Sequence, residues 1–413
     1  MPGKVVLAYS GGLDTSVAIR WIAEHEQAEV IALTINVGNQ RDLEAIRERA
    51  LQIGAAKALV VDARQLFVDH FIIPALKAGA VYEGQYPLAT ALSRPLIAKL
   101  LVDVARAEGA TAVAHGCTGK GNDQVRFDVS VGALAPDLRV VAPVREWELK
   151  TREDEIEYAQ RHGIPIPVTK ASPYSTDENL WGRSIEAGIL EDPWQEPPEE
   201  IYAWTRSPRE APDTPRYVEI GFEQGVPVSL DGQRLDGLTL ISELTEIAGE
   251  HGVGRIDHLE NRLVGIKSRE IYETPAATVL LAAHAALEHM TLSKDQLRMK
   301  ALVAQAYADL IYNGLWFTAH HQDLAAYVHS TQRHVTGTVR LRLYKGTCAV
   351  VGRTSPESLY DYSLATYDKG DRFDQRAAVG FIQIWGLPVR VQAQAQLLAQ
   401  PEGPLGFLEA PKQ

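Results

Sequence analysis

The chain has 413 residues, 46% hydrophobic and 23% charged, enough for two or three domains with a sizeable core and unlike a disordered chain. Its formal charge of −12 lacks the basic footprint of a protein whose partner is nucleic acid. Cys117 and Cys348 have neither disulfide nor metal spacing, no apolar run is long enough to span a membrane, and Val5 to Tyr9 is too short for a signal-peptide core. The expectation is a cytoplasmic protein with no metal site, no nucleic acid and no membrane, and with both cysteines as small buried hydrophobes.

In chain order, Val5 to Tyr9 predicts a buried strand, and Leu13, Val17, Trp21 and Ile22 share one face of the helix after it. The unit repeats as a strand over Val30 to Val37, a helix over Asp42 to Ile53 closed by Gly54, and a strand over Ala58 to Val61. A helix from Gln65 to Lys77, the loop YEGQYPLATALSRP and a helix carrying Leu96, Leu100 and Val104 lead to strands at Thr111 to His115 and Leu138 to Val144. Continuous apolar strands alternating with helices predict a doubly wound parallel sheet, whose ligands sit beyond the carboxyl ends of the strands.

Pro165 and Pro167 in GIPIPVTK predict an extended crossing, with a boundary near Gly163. A segment with six prolines between Pro193 and Pro215 reads as an ordered wrap or an exposed arm. Hairpin-like strands follow at Tyr217 to Phe222 and Val226 to Leu230 with a DG turn, then a helix with Leu240, Leu244 and Ile247. Helices over Pro275 to Met290 and Lys294 to Asn313 precede a hairpin of Thr338 to Tyr344 and Thr347 to Gly352, turning at Lys345 and Gly346. This region reads as a second, α+β domain, and the tail past about Gly386 carries little globular signal.

Chemistry concentrates in two loops. AYSGGLDTS, Ala8 to Ser16, follows the first strand and opens the first helix. Glycines permit positive φ and a close backbone approach, and the first N–H groups of a helix lack partners, so the turn suits an anion or is a plainly capped turn. It lacks the lysine of a Walker loop and the third glycine of a dinucleotide fingerprint. As a nucleophile elbow, A-Y-S-G-G would need upstream strands that the nine residues before Ser10 do not supply. HGCTGKGNDQVRF, His115 to Phe127, follows the fourth strand and lies on the same sheet edge. Its three glycines and concentrated polar side chains suit a ligand site better than a solvated loop.

The string SGGLDTS is similar to the pyrophosphate loop, SGGxDS or SGGxDTS, of the N-type ATP pyrophosphatases, which cleave ATP between its α and β phosphates. Together with HGCTGKGNDQVRF, GIPIPVT, SxDENLW from Ser175 to Trp181, EAGILEDP, HGVGRID, ENR at 260 to 262 and SREIYETP at 268 to 275, the chain closely resembles the argininosuccinate synthases to about Gly386. The resemblance implies an adenine-nucleotide α-hydrolase-like domain at 1–165, a synthetase domain at 166–370 and a C-terminal oligomerisation segment at 371–413 that embraces a neighbour in a homotetramer. It implies a C–N ligase of arginine biosynthesis with three substrates, ATP, L-citrulline and L-aspartate, and Mg2+ accompanying the nucleotide.

On that resemblance ATP is held by Ala8, Tyr9, Ser10, Gly11, Gly12, Leu13, Asp14, Thr15 and Ser16, with Ile35 and Gly116. Aspartate falls to Thr118, Asn122 and Asp123, and citrulline to Tyr86, Asn122, Arg126, Ser175, Ser184, Glu260 and Tyr272. Arg126 suits an α-carboxylate and Glu260 an α-ammonium. From the residues alone, the favoured readings are Glu260 as a surface charge pairing with Arg262 and Tyr272 as an ordinary core aromatic. Ser10, Asp14 and Asp123 are the catalytic candidates: Ser10 on the leaving pyrophosphate, Asp14 orienting the loop or a magnesium ion, and Asp123 orienting and deprotonating the aspartate amine. YPLATALSRP departs from the common YLLGTSLARP, placing Ala91 where a serine helps hold citrulline, with Ser93 close enough in sequence to compensate. Other ATP pyrophosphatases, tRNA-modifying thiolases and amidotransferase synthetases, share only the first loop, and a non-catalytic nucleotide sensor is the alternative outside enzymes.

Overall fold

The computed structural model describes residues 3–39, 42–165 and 173–398. The prolines of GIPIPVTK straddle the start of 166–172, so most of the expected crossing, like the end of the tail, lies outside the described residues. The chain divides into two compact units, 1–359 and 360–413.

The first unit begins with β1 (Gly3–Ala8), α1 (Leu13–His25), β2 (Ala28–Asn36), α2 (Leu43–Ile53) and β3 (Lys57–Asp62). Asp42 caps α2 by accepting from the Ala45 N–H, and Gly54 ends it in a left-handed conformation. Next come α3 (Arg64–Phe67), a π turn and α4 (Ile73–Ala78), then α5 (Ala89–Glu108), β4 (Ala112–Ala114), α6 (Asp123–Leu134), β5 (Arg139–Val141), α7 (Pro143–Glu146) and α8 (Arg152–Arg161). The five strands form a parallel sheet in the order β3-β2-β1-β4-β5. Along β1, Val5 and Leu7 enter one core with residues of α1, α2 and α8, while Val6 enters the other with residues of α4, α5 and α6. Alternation along a strand whose two faces are both covered leaves an unbroken apolar run, and each fully buried Val or Leu contributes about 1.5–3 kcal/mol.

Strand order reverses at β1, so the loops after β1 and β4 flank the switch point of the sheet, where such folds bind ligands. Two expectations shift here. The fifth strand ends at Val141 because Pro143 starts α7, and the second loop turns helical at Asp123, which puts Asp123, Arg126 and Phe127 on the first turns of α6.

The rest of the first unit contains β6 (Ser175–Asn179), β7 (Gly182–Glu186), β8 (Arg216–Glu223), β9 (Val226–Leu230), β10 (Gln233–Arg234), α9 (Gly237–Glu250), β11 (Arg255–Asn261) and β12 (Lys267–Glu273). It continues with α10 (Pro275–Thr291), α11 (Lys294–Tyr312), α12 (Ala319–Thr331), β13 (Gly337–Tyr344) and β14 (Thr347–Thr354). One antiparallel sheet runs β10-β9-β8-β13-β14 and another β11-β12-β7-β6. The first hairpin turns at Gln224 and Gly225, both with positive φ, and the DG pair, Asp231 and Gly232, instead turns β9 into β10. The proline-rich segment is an ordered wrap: the fully buried Glu273 carboxylate accepts the N–H groups of Ala203, Trp204 and Thr205.

The four-stranded sheet matters most for the site. Its register pairs Ser184 with both Asp177 and Tyr272, Ser175 with Glu186, and Glu260 with Ser268. Side chains alternate along a strand, so Ser175, Asp177, Ser184, Glu186, Glu260, Glu270 and Tyr272 share one face. Helix α5 packs against β6 and β7.

The second unit holds α13 (Tyr362–Ala365), α14 (Ala377–Trp385) and α15 (Leu387–Gln392), none with a buried residue among those described.

Candidate active site

The first turn is built as an anion cradle. Gly11 has φ +77°, and a Cβ there would stand 3.0 Å from Ile46 Cγ1, so glycine is required twice over. Gly12 leads into α1 with extended backbone and no side-chain cap. The first N–H groups of that helix therefore face a cleft of about 760 Å³ lined by Gly12, Leu13, Asp14 and Thr15. Ser10 Oγ and Thr15 Oγ1 lie 3.1 Å apart, and Arg49 from α2 donates to the Gly11 carbonyl at 2.9 Å. Ala8, Tyr9, Ser10 and Ile35 complete this side. Gly11 and Ser16 do not line the cleft: Gly11 shapes the turn, and Ser16 is buried beneath it with its hydroxyl 3.1 Å from that of Tyr9.

The second loop closes the opposite wall. Gly116 backs onto the first loop so tightly that a Cβ would come within 2.8 Å of Thr15 Cγ2. His115 accepts the Cys117 N–H at Nδ1, 3.2 Å away, which leaves Nε2–H to donate to Asp128 at 2.8 Å. Gln124 donates to the Gly119 carbonyl at 2.5 Å, pinning the glycine-rich loop to α6. Thr118, Asp123 and Ser175 line the same cleft. Cys117 lines it too and is only partly buried, so it is a wall residue where a core hydrophobe was expected; Cys348 is likewise partly buried, and both thiols are free.

A smaller hollow of about 100 Å³ shares Gly121, Asp123, Asp177 and Glu186 with the cleft. It is lined by Tyr86, Asn122, Arg126, Ser184, Glu260 and Tyr272, six of the seven residues expected around citrulline. The seventh, Ser175, lies in the larger cleft beside Asp177. Glu260 is buried and accepts from Tyr272 at 2.6 Å and Tyr312 at 2.7 Å, while Arg262 turns instead to Glu186 and to Glu270, the latter at 2.5 Å. The surface ion pair between Glu260 and Arg262 is not formed. Tyr272 is buried yet lines the hollow, stacking on Tyr86 with ring centres 4.2 Å apart. Burial pushes the phenols of Tyr86, Tyr272 and Tyr312 up, keeping them protonated as donors.

Arg126 donates to the Tyr312 carbonyl at 2.9 Å and to Asp123 at 2.8 Å, but its Nη2 is buried with no partner among the described residues. An unmet guanidinium donor facing a hollow suits a carboxylate. Asp123 accepts from Arg126 at one oxygen and from Arg94 at the other, 2.7 Å away. Burial would raise its carboxyl, but the two guanidinium groups overcome that and hold it at about 2, too weak a proton acceptor to deprotonate an amine.

Ala91 and Ser93 are both fully buried and line neither space. Ser93 donates to the Thr90 carbonyl at 2.8 Å, so it does not compensate for Ala91, and Thr90 is the residue of this helix that faces the hollow.

The geometry joins an anion cradle to a small amino-acid-sized hollow across a shared carboxylate wall. Residues 4–165 match the arginosuccinate synthase N-terminal HUP domain, and residues 174–392 match the arginosuccinate synthase C-terminal domain. The chain belongs to the argininosuccinate synthase family. It is 61% identical over 402 residues to the argininosuccinate synthase of Dehalococcoides mccartyi strain 195, covering 97% of this chain and 99% of that protein. The argininosuccinate synthase of Symbiobacterium thermophilum is 63% identical over 394 residues, 95% of this chain and 98% of that protein. That of Rubrobacter xylanophilus is 61% identical over 387 residues, 94% of each. Membership of the argininosuccinate synthase family makes the chain an ATP-using ligase of arginine biosynthesis. No described helix is long and apolar enough to cross a membrane.

Among the site residues that sequence reasoning did not assign, four shape its geometry most directly. Arg94, on α5, bridges Asp123 to Asp177 at 2.7 and 2.5 Å. Tyr312, Glu186 and Arg49 come from α11, β7 and α2. Glu186 begins the quoted motif EAGILEDP and Arg94 lies in the quoted string YPLATALSRP; Tyr312 and Arg49 sit on helix faces that only packing aims at the site.

Proposed function

We propose that the chain joins L-citrulline to L-aspartate in two steps, through a citrullyl-AMP intermediate, with AMP and pyrophosphate as the other products. The observation that carries this reading is the shared wall: a cradle suited to a leaving polyphosphate meets, at Gly121, Asp123, Asp177 and Glu186, a hollow with an unmet arginine donor and an acidic surplus. Citrulline's carboxylate suits Arg126 Nη2, its ammonium suits Glu260, and Tyr86, Asn122, Ser184 and Tyr272 frame the chain between them. Its neutral ureido group then points at the wall, where its oxygen meets the α-phosphorus and pyrophosphate departs into the turn of Ser10, Gly11, Gly12 and Thr15. Thr118, Asn122 and Asp123 receive aspartate, with Asp123 orienting it.

No covalent enzyme intermediate is needed, because positioning and charge neutralisation carry phosphoryl chemistry of this kind. Among the described residues no cluster of three or more potential ligands would hold a resident metal. The donor set, with Asp14 on the cradle as one hard oxygen ligand, fits a magnesium ion that arrives on the nucleotide. When bound, that ion neutralises phosphate charge; Arg49, held against the Gly11 carbonyl, keeps the turn in shape whether or not the ion is present.

Exposed apolar side chains of α14, Trp385 at 74% and Ile382 at 65% among them, support the homotetramer, with the tail from 371 onward docking on a neighbour. Two free cysteines fit a reducing, cytoplasmic setting. Isotope exchange between pyrophosphate and ATP with citrulline present and aspartate omitted tests the adenylate step. Its absence, with pyrophosphate shown to leave the enzyme freely, would exclude the intermediate.

A further inference from the structure

In the second step the attacking group is an amine that reaches the enzyme as an ammonium ion, so a proton has to leave it before the C–N bond forms. The reacting carbon lies where the nucleotide cleft and the amino-acid hollow meet, and three carboxylates line both spaces: Asp123, Asp177 and Glu186. Their partners separate them. Asp123 is bonded at both oxygens by guanidinium groups, Arg126 at 2.8 Å and Arg94 at 2.7 Å. Asp177 takes the same Arg94 nitrogen at 2.5 Å, so two cations, Arg94 and Arg126, balance two anions, Asp123 and Asp177.

The far side is not balanced. Among the described residues Arg262 is the one cation bonded to Glu186 and Glu270, both on its Nη2, with Ser268 adding a neutral bond to Glu270, while Glu260 receives two neutral phenols. Two negative charges are left over. Citrulline's ammonium answers one of them at Glu260. Of the remaining pair, Glu270 has a side chain only 8% exposed and is burdened by burial and by its neighbours Glu186 and Glu260, which push its carboxyl toward the protonated form. Glu186 is 40% exposed, stands on the shared wall, and uses only Oε2 on Arg262, leaving Oε1 without a partner among the described residues.

We infer that Glu186 is the proton acceptor for the aspartate amine. The inference rests on the two-step reading above. The ammonium gives one proton to Glu186 Oε1, and the freed lone pair attacks the central carbon of the adenylated isourea. The carbon–oxygen bond to AMP breaks, its electron pair leaving on the phosphate oxygen. The surplus amine proton moves to the isourea nitrogen, and the product is a guanidinium cation. Charge balances across the step: an ammonium, a glutamate anion and a phosphodiester anion become a neutral glutamic acid, a guanidinium and an AMP dianion. The acidic surplus also favours the cation that forms, since the citrulline side chain enters neutral and leaves positively charged.

The test is Glu186→Gln in the full-length enzyme, with the two half-reactions measured separately. Citrulline-dependent exchange of pyrophosphate into ATP without aspartate should stay within about threefold of wild type, while argininosuccinate formation under single turnover should fall by about 10²–10⁴. The residual rate should climb about tenfold per pH unit towards the pKa of the aspartate amine, because solvent must then remove the proton, whereas the wild-type rate is flatter. Exchange lost along with product formation, a product rate left intact, or a variant profile parallel to wild type would each overturn the assignment. No citrulline-dependent exchange in the wild type would instead remove the two-step reading, and the assignment with it.

Discussion

Tyr312, the last residue of α11, donates its hydroxyl to Glu260 on β11 at 2.7 Å and accepts from Asn122 at 2.8 Å, while Arg126 donates to its carbonyl and lies 4.9 Å above its ring. Glu260 on β11 and both Asn122 and Arg126 at the start of α6 are thus held by one tyrosine. Tyr82 stacks on the same ring with centres 3.6 Å apart, so removing the hydroxyl leaves the packing in place. Tyr312→Phe should raise KM for citrulline about tenfold or more, as expected for a lost hydrogen bond to a charged group, raise KM for aspartate less, through the loosened Asn122, and leave KM for ATP within about twofold. Steady-state kinetics with each substrate varied in turn would decide it. A parallel rise in all three constants would mean that the hydroxyl supports the fold and not the hollow.

Gly116 is where the two loops touch. A Cβ there would meet Thr15 Cγ2 at 2.8 Å, whereas Gly119 in the same loop has nothing within 4 Å. Gly116→Ala should therefore push the first turn and raise KM for ATP about tenfold, and Gly119→Ala should leave it unchanged, with overpacking at Gly116 costing about 1–3 kcal/mol of stability. Nucleotide titration by calorimetry, alongside thermal melts of both variants, tests the pair. Similar behaviour of the two would show that contact between the loops does not shape the cradle.

His321 is a pH-dependent weak point. It is 6% exposed among Tyr307 and Trp316, its Nε2 has no partner among the described residues, and burial lowers its pKa to about 4. The unfolded chain binds a proton near pH 6.5 that the folded chain refuses until about 4, so stability is complete above about 6.5 and drains away as the pH falls towards 4. The loss should be on the order of 2 kcal/mol, some solvent access having been allowed for. His321→Phe, which keeps an aromatic ring in the cage, should flatten that part of the curve when urea midpoints are followed between pH 7 and pH 4. An unchanged slope would place the acid sensitivity elsewhere.

The tail should act through assembly and not through the chemistry. Ile382 and Trp385 on α14 are 65% and 74% exposed, an unusual cost for a monomer to carry in water. Ile382→Glu and Trp385→Glu together should convert the proposed tetramer to smaller species in sedimentation velocity, with the far-ultraviolet spectrum unchanged. A variant that stays tetrameric would show that other surfaces hold the assembly.

The first domain was largely legible because its strands are buried on both faces and their apolar runs stand out against the helices between them. The β6–β7 and β11–β12 hairpins were not read as strands, since STDEN, GRSIE and RIDHLEN carry polar residues on the face that lines the site. They stood out as motif, and their structure did not. Arg94 shows the converse: it falls in the string YEGQYPLATALSRP, read as a loop, and resembles any solvated arginine until α5, which starts at Ala89, sets it between Asp123 and Asp177.

The sequence alone determined the shape of the first turn, because glycine conformation and helix-end donors are local properties of Gly11, Gly12 and the residues after them. It also determined the family, through long ordered strings. Tertiary structure alone decided which charges balance. Asp123 and Glu186 are equally ordinary carboxylates in a sequence; the first becomes a poor base because two arginines from α5 and α6 close on it, and the second bonds Arg262, shared with Glu270, through one oxygen and has no partner at the other among the described residues. Electrostatic character depends on distances between side chains far apart in the chain, and only the folded arrangement of strands and helices sets those distances.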